Sequence, residues 1–198
     1  MKLKLLLLLF FTFCISNAQM KPVSITFRNG EILKGMGKTK AYTFKYKIDE
    51  NAKAQEFEFS TIKSVEVEIS YGEKVTYKFF QVKDSENFIA VKELVSGSKA
   101  ELYTTSFSFN TGGMGMSGTG MGGMGMGSQT VTNYYIKKTN EDKLTEMGAY
   151  SPLSNDLKAR VKTYFSDCKS LIEKLENREF KVREGLEDIV TFYNKNCE

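Results

Sequence analysis

The 198-residue chain contains no histidine and no tryptophan. Histidine is the commonest general base and metal ligand near neutral pH. Its absence excludes Ser-His and Cys-His nucleophilic catalysis, HExxH zinc sites and most transition-metal centres. Enzymes that use carboxylates, lysine or tyrosine alone stay compatible with the composition. Cysteine is scarce, at three residues, and the charge is nearly balanced, with 28 Lys and Arg against 24 Asp and Glu. A nucleic-acid binder usually carries a basic stripe, so no nucleic-acid partner is expected.

What is present begins with an export signal. Lys2 and Lys4 form a short positive region, and Leu5 to Ile15 is apolar apart from Thr12 and Cys14. Ser16-Asn17-Ala18 supplies the small residues of a cleavage site, so residues 1–18 read as a signal peptide cut between Ala18 and Gln19. The run falls short of the roughly 20 residues of a membrane span, and it offers no polar face for a soluble helix. Cys14 raises a lipoprotein anchor, but bulky Phe13 stands where a lipobox places a small residue. No other stretch reads as transmembrane. Removing Lys2 and Lys4 from the 28 basic residues leaves 26 against 24 acids, a net charge of about +2. The 180 residues left of 198 suffice for one substantial domain or two small ones. The expected location is the periplasm or the exterior.

Residues 23 to 109 read as strands. Val23, Ile25 and Phe27 alternate with Ser24, Thr26 and Arg28, and the hairpin signal Asn29-Gly30 follows. Tyr42, Phe44, Tyr46 and Ile48 alternate with polar neighbours, as do Phe57 and Phe59, then Val65, Val67 and Ile69, then Val75, Tyr77 and Phe79. Period two with charge on one face means a sheet buried on one side. Phe88 to Val95 is more continuously apolar and reads as a central strand. Lys99 to Phe109 and Gln129 to Lys137 complete eight or nine short strands, spaced as in an antiparallel barrel or sandwich.

Near Pro152 the period changes to 3.6. Leu157, Val161, Tyr164, Phe165, Cys168, Leu171, Ile172 and Leu175 form one apolar stripe, and Leu186, Ile189, Val190, Tyr193 and Cys197 a second. Two antiparallel helices joined through Asn177 to Arg183 are predicted, the first capped by Ser154. Two cysteines remain after cleavage, and an even pair in an exported protein predicts a Cys168–Cys197 disulfide. A loop of roughly 29 residues closed in this way stabilises by about 3.6 kcal/mol in the chain-entropy model.

Residues 112–127 read GGMGMSGTGMGGMGMG and hold nine of the 16 glycines and five of the nine methionines. Such a segment builds no helix or strand, so a Gly/Met-rich loop is expected over 110–129. Gly118 to Gly123 matches G-x-G-x-x-G literally, but the dinucleotide fingerprint needs a strand before it and a helix after it. Met114, Met116, Met121, Met124 and Met126 are soft thioether donors of the kind that select Cu(I). The alternatives are a low-complexity linker without a specific role and an adaptable apolar loop that touches a partner or lipid.

The carboxylates Glu56, Glu58, Glu66, Glu68, Glu73, Asp84 and Glu86 are numerous enough for a glycosidase-type pair. Their alternation with apolar residues is also what a solvated sheet face requires. Lys45, Lys47, Lys78 and Lys83 face outward by the same pattern. Tyr134 and Tyr135, on opposite faces, are candidates to line a ligand surface.

The Asn17-Ala18-Gln19 signal end and the Phe27-Arg28-Asn29-Gly30-Glu31 opening resemble those of uncharacterised exported proteins of Bacteroidetes-type bacteria. So does the tail pairing of Tyr164-Phe165-Ser166-Asp167-Cys168 with Phe192-Tyr193-Asn194-Lys195-Asn196-Cys197. The tail pattern is its most specific part, and the Gly/Met segment looks like an insertion. The resemblance implies export and carries no activity.

The expected architecture is α+β: a signal peptide over 1–18, a β-rich domain over 19–150 forming an antiparallel barrel or sandwich, and a helical hairpin over 151–198. The expected function is that of an exported, non-enzymatic binding or structural protein of the bacterial envelope, with an unidentified partner and no cofactor. A Cu(I)-binding protein using the methionine loop and a carboxylate hydrolase are the alternatives.

Overall fold

The computed structural model describes residues 20–70, 72–110, 128–151 and 155–197. The Ala18–Gln19 junction, the five loop methionines and the Ser154 cap lie outside the described residues. Among the described residues there are ten strands and three α-helices. The strands are β1 (Lys21–Phe27), β2 (Ile32–Lys40), β3 (Thr43–Lys47), β4 (Gln55–Glu58), β5 (Ile62–Ser70), β6 (Glu73–Gln81), β7 (Phe88–Val95), β8 (Ala100–Asn110), β9 (Ser128–Lys138) and β10 (Thr145–Ala149). The helices are α1 (Asp156–Tyr164), α2 (Lys169–Glu176) and α3 (Glu187–Asn196). The ladders are antiparallel and the sheet does not close into a barrel, so the barrel expectation is corrected to an open sheet with helices. The chain divides into two compact units, Met1–Phe79 and Phe80–Glu198.

In the first unit the strand order is β6-β5-β1-β2-β3-β4. Val23, Ile25, Phe27, Phe44, Tyr46, Val65 and Phe79 are buried, as the alternation predicts, and Ile62 joins them, whereas Tyr42, Ile48 and Ile69 at the ends of the same runs are exposed. A flat sheet would hold β1 and β4, three strands apart, at about 14 Å. The rings of Phe27 on β1 and Phe57 on β4 nevertheless meet at 5.0 Å, so the sheet curls over its own apolar face. A 3-10 turn over Phe59–Thr61 carries Phe59 onto Phe79, with ring centroids 4.8 Å apart. The curl needs glycine on β2. A Cβ on Gly35 would lie 2.7 Å from the Tyr46 ring, and one on Gly37 would lie 2.4 Å from the Phe44 ring.

Arg28 fastens the curl. Its Nε donates to the Ser60 carbonyl at 2.8 Å and its Nη2 to the Phe79 carbonyl at 2.7 Å. The loop that presents it is the predicted hairpin: Gly30 sits at φ +91, its N–H donates to the Phe27 carbonyl, and the Glu31 N–H donates to Asn29 Oδ1 at 2.9 Å. A three-residue hairpin loop with glycine in the left-handed region is a favoured connection. The Phe-Arg-Asn-Gly-Glu opening is therefore a fold-closing element.

In the second unit the order is β7-β8-β9-β10, and both faces carry buried side chains. Alternation along β8 and β9 sends Leu102 and Ile136 to one face and Tyr103 and Tyr135 to the other. The first face, with Ala100 and Met147, packs against Leu157, Val161, Phe165, Leu171, Leu175, Ile189 and Val190 of the helical segment. The second forms a smaller cluster with Val91 and Leu144. Each such aliphatic or aromatic side chain contributes roughly 1.5–3 kcal/mol when fully buried. The helical segment thus shares one core with β8, β9 and β10.

Two readings of the chain change here. Strand β10 lies outside the predicted set, because it is five residues long and its register shifts at Gly148, which sits at φ +81. The predicted first helix is two helices. Its stripe is buried as expected, but the backbone leaves the helix after Tyr164, and Cys168 adopts φ −112, ψ 90. Ser166 and Asp167 favour such a break, since short polar side chains compete for backbone hydrogen bonds. The expected two-helix hairpin is a three-helix segment with a further 3-10 turn over Val182–Glu184. The Cys168–Cys197 disulfide is present, with Cα atoms 5.4 Å apart. The cysteines lie at helix ends rather than on helix faces: Cys168 precedes α2 and Cys197 follows α3.

Candidate functional site

Two constellations stand out, both in the second unit. The first is built from the tail motif. Lys138 of β9 places its ammonium 5.3 Å from the Tyr164 ring centroid and 5.4 Å from that of Tyr193. Asp167 closes this cage, accepting from Lys138 Nζ at 2.8 Å and from the Tyr193 hydroxyl at 2.7 Å. The Lys138 backbone N–H donates to Glu141 and to the Tyr164 hydroxyl, each at 3.0 Å, and that hydroxyl donates to Glu141. Burial works against the Asp167 charge. The Lys138 ammonium and the Tyr193 hydroxyl outweigh it and hold the carboxyl below its ordinary range. Burial, then the Glu141 carboxylate, pushes the Tyr164 phenol up.

Asn194 completes the arrangement. Its Oδ1 accepts from the N–H groups of Lys99 and Ala100, both at 2.9 Å. Its Nδ2 donates to the carbonyls of Ala100 at 2.8 Å and Val190 at 3.0 Å. All four hydrogen bonds a carboxamide can make are satisfied. The approach requires a residue without a Cβ at position 97, where one would come within 2.1 Å of the Asn194 amide. Tyr164, Asp167, Tyr193 and Asn194 thus tie the helices to the start of β8 and the end of β9, Phe165 is buried in the same core, and the disulfide joins Cys168 to Cys197. The polar groups of this constellation are paired with one another.

The second constellation is an open groove of about 320 Å³ between the N-terminal end of α1 and the connection from α2 to α3. Lys158 of α1 and Arg178, Lys181 and Arg183 of the connection line it, with Tyr150, Phe180 and Val182 supplying apolar walls. No carboxylate is among its described lining residues. Lys181 and Arg183 share Glu184, at 3.3 and 3.6 Å, while Lys158 and Arg178 make no salt bridge among the described residues. Phe180 is held from behind by Phe192 of α3, with ring centroids 5.5 Å apart. Tyr150 is exposed. The walls therefore pair an aromatic floor with an excess of positive charge.

The backbone of this groove has one irregularity. The Glu179 N–H returns to the Lys174 carbonyl at 2.9 Å, closing the C-terminus of α2 as a Schellman motif. The left-handed position of that motif usually holds glycine, and here it holds Arg178, at φ +63. For an L-residue this conformation costs about 1–2 kcal/mol.

The residues singled out from the sequence are placed as follows. Glu56, Glu58, Glu66, Glu68, Glu73, Asp84 and Glu86 are all exposed. Glu56 pairs with Lys40 at 2.9 Å, and that bond holds its carboxyl below the ordinary range. Glu66 lies 3.6 Å from Lys74. Tyr135 is buried in the smaller core and Tyr134 packs against the larger one, so the two share no ligand surface. Among the described residues no group of three or more Cys, Asp and Glu side chains is arranged to hold a metal ion, and no helix is long and apolar enough to cross a membrane. The groove was not anticipated. Its sequence trace is the run Arg178 to Arg183, in which three cations flank Phe180 and Val182 within the expected inter-helix connection. Comparison of the chain with protein-family models, with curated proteins and with solved structures finds no match.

Proposed function

We propose that this chain is an exported, non-enzymatic binding protein of the bacterial envelope, and that its ligand is an anion carried on an apolar body. The observation that supports this reading is the groove lined by Lys158, Arg178, Lys181 and Arg183 around Phe180, with no carboxylate among its described lining residues. Cations gathered in one groove repel one another unless a counter-charge enters; Glu184 pairs with Lys181 and Arg183, the Glu176 carboxylate acts on Lys158 from beyond salt-bridge distance, and Arg178 makes no salt bridge among the described residues. The apolar walls favour a ligand that brings non-polar surface as well as charge. Export agrees with the signal-like N-terminus and with a disulfide, since such bonds persist in oxidising compartments.

Calorimetric titration with hexanoate and with hexanol tests the reading. Hexanoate binds, hexanol binds at least about tenfold more weakly, a difference of roughly 1.4 kcal/mol, and added salt weakens only the former. The charge reversal Lys158→Glu with Lys181→Glu removes hexanoate binding. Equal, salt-insensitive binding of the two probes would overturn the reading.

A further inference from the structure

The chain turns at positive φ six times among its described residues, and four of these turns use glycine: Gly30, Gly72, Gly148 and Gly185. A fifth uses Asp84, a residue type that enters this region with relative ease. Arg178 is the exception. Its side chain offers the backbone no local compensation, and its position in the Schellman turn is the one where glycine is conformationally best. The strain falls on a residue whose side chain lines the groove. Strained backbone persists where the surrounding structure holds it in place, and such residues cluster at ligand sites.

We infer that Arg178 is the affinity-determining residue of the groove, and that the anion it takes is a phosphate monoester carried on an apolar body. This rests on the binding function proposed above and narrows its ligand. Charge supports the choice of phosphate over carboxylate. Of the four cations, Lys181 and Arg183 share the single charge of Glu184, Lys158 feels the Glu176 carboxylate only from beyond salt-bridge distance, and Arg178 has no salt-bridge partner among the described residues, so positive charge stays in excess. A phosphate monoester brings a charge of about −1.5 to −2 at neutral pH, against one for a carboxylate. The planar guanidinium matches two phosphate oxygens at once, which an ammonium does not. Phe180 and Val182 take the apolar part.

The test uses the disulfide-bonded protein, titrated with hexyl phosphate, hexanoate and inorganic phosphate, as wild type and as Arg178→Gly and Arg178→Lys. Hexyl phosphate binds the wild type more tightly than either other probe. Arg178→Gly weakens it roughly tenfold or more while raising the melting temperature, because glycine relieves the turn. Arg178→Lys keeps the charge and the strain, and weakens binding by roughly threefold through loss of the two-pronged contact. A merely structural arginine would move melting temperature and affinity together, or leave affinity alone. Unchanged affinity in Arg178→Gly would overturn the role of Arg178 while leaving the groove in place. Hexanoate or inorganic phosphate binding as tightly as hexyl phosphate would overturn the ligand class. Failure of all three probes on the wild type would remove the binding function itself. Sedimentation with vesicles of phosphatidylcholine, with and without phosphatidic acid, separates the two sources of such a group. Arg178-dependent sedimentation with the acidic vesicles assigns it to a lipid headgroup, and its absence beside tight hexyl phosphate binding assigns it to a soluble ester.

Discussion

In residues 20–79 the sheet covers its apolar face with itself. Phe27 meets Phe57 across three strands, Phe59 meets Phe79, and Arg28 fastens the curl with two bonds to backbone carbonyls. In residues 80–197 the apolar face formed by Leu102, Ile136 and Met147 is instead covered by three short helices tied by a disulfide. The difference follows from the strands. β2 supplies Gly35 and Gly37, which let the rings of β3 fold flat against the sheet and shorten the radius of the curl. β8 and β9 are eleven residues long and carry bulky side chains on both faces, so they need a separate cover. Helices of eight to ten residues are marginal alone. That explains the density of ties on this cover: the Lys138 cage, the Asn194 clamp and the Cys168–Cys197 bond.

The largest expected effect comes from removing one ring in each region. Phe44→Ala and Phe165→Ala each delete a fully buried ring and should cost about 4 kcal/mol in denaturant unfolding. If the regions are built as described, Phe44→Ala destabilises the first unit and Phe165→Ala the second, each visible in hydrogen exchange. Removing the disulfide as Cys168→Ala with Cys197→Ala comes next, at about 3.6 kcal/mol for a 29-residue separation. The first unit has no comparable covalent tie and should keep its protection.

A smaller effect separates the regions by pH. The Asp167 carboxyl is held below its ordinary value of 3.8 in the folded chain. The folded state therefore binds fewer protons here than the unfolded chain, and this contribution is complete above about pH 4 and lost as pH falls through the folded value. Asp167 is partly exposed, so the loss is modest. Acid titration followed by proton-resolved spectra should loosen the Lys138 cage before the curl of β1 to β6. Asp167→Asn should abolish that step and leave the rest of the acid profile unchanged.

Much of this was legible in the sequence, for physical reasons. β1, β3, β4, β5 and β6 show a period of two because one face of each is wet, β7 is marked by a continuous apolar run, and β2 follows from the hairpin signal Asn29-Gly30. β10 has none of these, because five residues with Gly148 at a register shift leave too little alternation to see. The helical stripe was visible from Leu157 to Leu175 because the turn at Phe165 to Cys168 preserves its phase, and the break was invisible for the same reason. The disulfide follows from cysteine count, from export and from both cysteines falling on the apolar stripes of an expected helical hairpin; the pairing holds although the cysteines lie at helix ends. The tail motif was recognised as distinctive, but only the distances show that Asp167, Tyr193 and Asn194 face inward to backbone and side-chain partners. The groove escaped because its cations come from two separate segments, and because Arg178 lies at a turn where sequence reasoning expects glycine.

The second unit holds its helical cover, and with it the cationic groove, through the tail ties centred on the disulfide. Hydrogen exchange on the oxidised protein and on Cys168→Ala with Cys197→Ala tests it most directly. Without the bond the amides of α1, α2 and α3 should lose protection strongly, those of β1 to β6 should keep theirs, and hexanoate binding should weaken in step with the helices. A uniform loss across the chain, or full protection of the helices without the bond, would contradict it.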